Sequence, residues 1–108
     1  MYEQIIKELI YAISSFMKLK ETKIKMNSNI FKDLGIYGDD LEQIIYILDK
    51  KFHFKYKCFF NIMEQKGFWN EPEVAFPFFK RNKKKYLTVK DIILIIEECL
   101  KNRSQTPP

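Results

Sequence analysis

The sequence predicts a mainly α protein, a small helical bundle whose second and last helices are separated by an irregular, aromatic-rich segment. Three observations support this. Apolar residues recur at three- and four-residue spacing in three separate stretches, the mark of helices with one buried stripe. Pro72 and Pro77 forbid a continuous helix through the aromatic-rich stretch from His53 to Arg81. The chain is 108 residues long and 46% apolar, enough for one packed core and far too hydrophobic for a disordered chain.

The first helix is expected from Tyr2 to about Leu19, with Ile5, Ile6, Leu9, Ile10, Ile13, Phe16 and Met17 on its stripe. Lys20 to Asn29 has no such period, and Asn27-Ser28-Asn29 favours turns because these side chains bond to nearby backbone. This reads as a long loop held to the core by Ile30, Phe31 and Leu34. Gly35 and Gly38 then precede Asp39 and Asp40, acidic residues suited to the positive end of a starting helix. The second helix follows with Leu41, Ile44, Ile45, Leu48 and Phe52 inward and Glu42, Gln43, Asp49 and Lys50 outward. Tyr46 and Ile47 make its apolar face wider than one docking stripe requires, which leaves an edge for a visitor or a second neighbour.

From His53 to Arg81 the pattern is irregular and dense in aromatics. A short helix or turn is expected near Cys58 to Glu64, followed by an ordered loop that can include a short ribbon. The last helix opens at Thr88 or Val89, because Thr88 and Asp91 have the spacing at which each side chain reaches the other's backbone amide. Ile92, Ile93, Ile96 and Leu100 form its stripe, with Ile95 and Cys99 beside them. The expectation is one domain over residues 1–102, with the helix fraying toward Asn102 and a flexible tail over 103–108.

Chemistry-bearing residues are sparse. Cys58 and Cys99 lie far apart with no CxxC spacing and no histidine partner, so both read as small buried hydrophobes and not as a zinc or redox pair. His53 is the sole histidine and reads as a helix C-terminal cap. Asp39, Asp40 and Glu42 lack the loop spacing that wraps a cation, so they read as a helix start. With no nucleophile and base in a recognisable pattern, the expectation is a non-enzyme with no metal and no cofactor.

The formal charge is +5, gathered mainly in Lys18 to Lys25 and Lys80 to Lys85, whereas Asp33 to Asp49 is acidic. Nucleic acid binding through Lys80, Arg81, Lys83, Lys84 and Lys85 is a secondary reading, since no DNA- or RNA-recognition motif accompanies the string. No apolar run is long enough to span a bilayer and no leader pattern opens the chain, so a cytoplasmic protein without membrane association is expected.

Helix, long loop, acidic-started helix, irregular segment and closing helix is the element order of an acyl carrier protein. Asp33-Leu34-Gly35-Ile36-Tyr37-Gly38-Asp39-Asp40 with Leu41 to Phe52 resembles the loop and second helix of that fold. Leu87-Thr88-Val89-Lys90-Asp91-Ile92-Ile93 resembles the start of its last helix. Together with Gly67-Phe68-Trp69 and Phe76-Pro77-Phe78-Phe79, these strings are similar to a bacterial acyl-carrier-like family of unknown function, over about residues 5–101. The resemblance implies a serine at the start of the second helix to carry phosphopantetheine, yet Gly38 stands at that position and Tyr37 at the preceding aspartate. Glycine has no hydroxyl to esterify.

The function expected is a non-catalytic protein-binding module, in its specific form an immunity protein that neutralises a cognate bacterial toxin. The alternative is a specialised or degenerate carrier in lipid or natural-product synthesis. Candidate partner-binding residues are Tyr37, Asp39, Asp40 and Glu42 on the second helix, Phe68, Trp69, Phe78 and Phe79 in the aromatic segment, and the basic string.

Overall fold

A computed structural model describes residues 2–69 and 85–105. The architecture is mainly helical, as the periodicity requires. Helix α1 spans Tyr2–Met17, α2 Gly38–Phe52, α3 Tyr56–Gln65 and α4 Val89–Gln105, with a 3-10 turn at Glu21–Lys23. Two short strands, β1 (Phe68–Trp69) and β2 (Lys85–Tyr86), pair in parallel with Phe68 opposite Lys85 and Trp69 opposite Tyr86. Helices α1, α2 and α4 and the shorter α3 pack pairwise around one core. Among the described residues, no helix is long and apolar enough to cross a membrane.

The stripes read from the sequence form the core. Ile5, Leu9 and Ile13 of α1, Leu41, Ile44, Ile45 and Leu48 of α2, and Ile92, Ile93 and Ile96 of α4 are all fully buried. Removing one such side chain costs its transfer energy plus the cavity left behind. Phe16 departs from the expected stripe and is 39% exposed, whereas Ala12 and Ile13, one turn earlier, are buried.

The long loop is built by its own short polar side chains. Asn29 accepts the amides of Phe31 and Lys32 on its Oδ1, while its own amide donates to Asp33 Oδ2 at 2.7 Å. Gly35 takes φ +70, a conformation that L side chains rarely adopt, and its amide closes the turn on the Phe31 carbonyl. Ile30, Phe31 and Leu34 are buried as expected, and Ile24 and Ile36 join them. The loop is stitched to the start of α4 by three backbone bonds: Ile30 N–H to the Leu87 carbonyl, Val89 N–H to Ser28 and Lys90 N–H to Met26.

Helix ends follow their chemistry. Thr88 and Asp91 form the reciprocal cap, with Asp91 N–H donating to Thr88 Oγ1 at 3.2 Å and Thr88 N–H to Asp91 Oδ2 at 3.1 Å. His53 caps α2 in the left-handed region at φ 60, its amide donating to the Asp49 carbonyl at 2.7 Å. Helix α3 is longer at both ends than the Cys58 to Glu64 turn expected, and the α4 backbone stays helical past Asn102 to Gln105.

The reading of the cysteines is corrected. Cys58 on α3 and Cys99 on α4 form a disulfide, with Cα atoms 5.9 Å apart. Their separation of 41 residues hid the pairing, because only the docking of α3 on α4 brings them within bonding reach.

Two stability outcomes follow. A loop of 41 residues closed by a disulfide removes unfolded-state entropy worth about 4 kcal/mol. Urea unfolding with and without reductant should show a loss of that order, and thiol counting on the folded protein after oxidation in air should find none free. Thr88→Ala should cost about 1 kcal/mol through the lost cap, read from the same unfolding curves.

Candidate functional site

The start of α2 is where the structure concentrates exposed aromatic and acidic groups. The Asn29 to Gly35 turn delivers Tyr37 to the position just before the helix, with φ −109 and its side chain free of any capping bond. The Tyr37 ring lies parallel-stacked near Phe31, centroids 6.3 Å apart. On another side of Phe31, Tyr86 from β2 meets the same ring edge-on at 5.5 Å. Phe31 is buried, yet Tyr37 and Tyr86 are 45% and 50% exposed. Lys32 Nζ sits 4.7 Å from the centre of the Tyr86 ring. The result is a surface of two half-open tyrosines seated on one buried phenylalanine, beside the exposed Asp39 and Glu42 and the half-buried Asp40.

Gly38 is the first residue of α2. Among the described residues, no three histidine, cysteine or acidic side chains are placed to hold a metal ion.

The other candidate residues fall elsewhere. Phe68 is partly buried and packs against the core, lining an open groove of about 500 Å³ with Lys66, Leu94 and Glu98. In the parallel strand pair Lys85 lies opposite Phe68 and Trp69 opposite Tyr86. Phe78, Phe79, Lys80, Arg81, Lys83 and Lys84 lie outside the described residues. Tyr37, Asp39, Asp40 and Glu42 thus lie at the start of α2, and Trp69 lies opposite Tyr86 in the strand pair.

No family model, curated protein or solved structure matches this chain.

Sequence reasoning missed several surface features. Tyr86 joins the α2 surface through a contact between distant segments, with no local signal. The apolar surplus of α2 was a usable signal: Ile47 is 39% exposed and opens, with Tyr11, Ala12 and Phe16 of α1, a shallow groove of about 310 Å³. At one edge of that groove Lys51 pairs with Glu8 at 3.1 Å. Exposed pairs of this kind contribute little, up to about 1 kcal/mol.

Tyr46, also on the outer face of α2, packs against Tyr56 with ring centroids 4.5 Å apart. A hydrogen bond with Tyr56 raises the Tyr46 phenol above its ordinary value, with smaller contributions in the same direction from desolvation and from the charges of Tyr56 and Glu42. Asp49, expected to point outward, instead turns its carboxylate onto the next helix, accepting Lys55 N–H at 2.9 Å and Tyr56 N–H at 3.1 Å. It supplies the cap that Lys55 itself does not.

Two measurements check this geometry. The phenolate titration of Tyr46 should shift back toward 10.0 in Tyr56→Phe. Because its folded value is raised, the pair's stabilisation is fully present below the unfolded tyrosine value and is lost as pH rises through the higher folded value. Asp49→Ala leaves two amides at the start of α3 without their acceptor and should cost about 1 kcal/mol in thermal or urea unfolding.

Proposed function

We propose that this chain is a non-catalytic protein-binding module on an acyl-carrier-like arrangement of helices, with the start of α2 as its contact surface. The observation that carries the reading is the Tyr37–Phe31–Tyr86 cluster: two large amphipathic rings held half-exposed on a buried one, at the start of a helix whose first turn carries Asp39 and Asp40. Tyrosine is enriched at interface hot spots because it brings contact area at low entropic cost, and an adjacent acidic rim steers a basic partner. In its specific form the module is an immunity protein whose basic toxin partner docks there.

The resemblance of Leu34-Gly35-Ile36-Tyr37-Gly38-Asp39-Asp40 to acyl-carrier-like sequences supports the same surface, since it is the segment that would meet partner enzymes in a carrier. Gly38 at the attachment position argues against the carrier chemistry itself. The proposed compartment is the cytoplasm. There, thiols are kept reduced, so Cys58 and Cys99 would be present as the dithiol; thiol trapping in lysed producing cells reads this directly.

Co-purification with the product of a neighbouring gene should yield a one-to-one complex, and Tyr37→Ala with Tyr86→Ala should weaken it by about 2 kcal/mol or more while the unfolding curve stays near that of the parent. Recovery of only the free chain would sink the binding reading. Intact mass after incubation with coenzyme A and a phosphopantetheinyl transferase should stay unchanged; gain of one arm would establish the carrier alternative.

A further inference from the structure

The corner between α2 and α3 carries a third cationic cluster, distinct from the two read from the sequence. Lys50 ends α2 with its neighbour Lys51, Lys55 lies in the connection, and Lys57 is in the first turn of α3; all are exposed. Lys51 is turned to Glu8. Among the described residues, no carboxylate lies within ion-pair distance of Lys50, Lys55 or Lys57. Asp49, the acid in their midst, spends both carboxylate oxygens on the Lys55 and Tyr56 amides.

Local helix physics explains only part of this cluster. Cations at the end of α2 suit the negative pole of its dipole, so Lys50 has a structural reason to be there. Lys55 and Lys57 stand at the start of α3, whose first turn holds no acidic residue of its own and whose amides are capped by the Asp49 carboxylate. Lys55 also adopts φ 70, where a side chain is strained and glycine is at ease. Three exposed lysines around one carboxylate, one of them at a backbone position that disfavours any side chain, leave an excess of positive charge that points to an anion outside the chain.

The chemistry of the surroundings selects the anion. Lysine is depleted from the cores of protein interfaces but dominates surfaces that neutralise phosphates. Tyr46, one helical turn before Lys50 and 38% exposed, presents an aromatic ring beside the cluster, braced by Tyr56. Rings next to lysines are the platform on which unpaired bases stack. We propose that the α2–α3 corner binds a single-stranded nucleic acid, with Lys50, Lys55 and Lys57 on consecutive phosphates and Tyr46 as the stacking ring. Its lysines lie at the other end of α2 from Tyr37, and Glu42, one helical turn before Tyr46, stands between the two surfaces.

The test is fluorescence anisotropy of the full chain with labelled mixed-sequence single-stranded RNA and DNA over a salt series, with labelled polyglutamate as the comparator. Binding should weaken with salt at a log–log slope of about −2, as three phosphate contacts require. Lys50→Gln with Lys57→Gln should lower affinity about tenfold or more at low salt. Lys55→Gly is the decisive variant, because it relieves backbone strain while removing charge: its melting temperature should rise or hold while its affinity falls several-fold. No binding at low salt, equal affinity for polyglutamate, or binding lost only in Lys83→Gln with Lys84→Gln would each overturn the assignment.

Discussion

Ile30 donates its amide to the Leu87 carbonyl at 2.8 Å, Val89 donates to Ser28 at 3.2 Å and Lys90 to Met26 at 2.9 Å, and on this seam the relative placement of the second and last helices depends. It joins a loop that has no periodic pattern to the entry of α4, more than fifty residues later by the numbering of its partners. Because Ile30 and Leu87 are both fully buried, an unpaired amide or carbonyl there would incur the full desolvation penalty. The seam also holds Phe31 beneath Tyr37 and Tyr86, so the same bonds that register the bundle build the aromatic surface. Asn29 and Thr88, bridged across the seam, each turn a side chain back to cap the segment that follows.

What the sequence revealed and what it concealed divide along one physical line. Features decided within a few residues were legible: the buried stripes at Leu41, Ile44, Ile45 and Leu48, the reciprocal Thr88–Asp91 cap, and His53 as the end of α2. The surplus of Tyr46 and Ile47 was legible too, and both are open to solvent. Features decided by packing between distant segments were not. Cys58 meets Cys99 only because α3 docks on α4, and Tyr86 meets Phe31 only through the β2 connection. Asp49 is the instructive intermediate case. On α2 alone it reads as outward and solvated, and only the sharp connection through two left-handed residues, His53 and Lys55, brings the start of α3 onto its carboxylate.

The disulfide and the functional surfaces make different demands on the fold. The Cys58–Cys99 bond ties α3, which buries only Phe59 and Ile62 from its own ten residues, to the well-packed α4. The surface at Tyr37 draws its rigidity from the seam, while Tyr86 is also held by the strand pair, whose β1 packs on α3. Opening the bond would therefore loosen α3 first and reach the Tyr37–Tyr86 cluster only through β1 and β2.

The charge along α2 explains why one small domain can offer two unlike surfaces. Asp39, Asp40 and Glu42 open the helix and Lys50 and Lys51 close it, both in the sense that its dipole favours. At about 1.5 Å per residue the outermost charges, Asp39 and Lys51, are about 18 Å apart and the inner ones, Glu42 and Lys50, about 12 Å, against a screening length of about 10 Å at moderate salt. A ligand at one end of the helix thus feels little of the outermost charge at the other. Local helix electrostatics accounts for this polarity without any function, which is why Lys55 and Lys57, which the α2 dipole does not explain and which outnumber the Asp49 carboxylate beside them, carry more information about an external partner than the charges on α2.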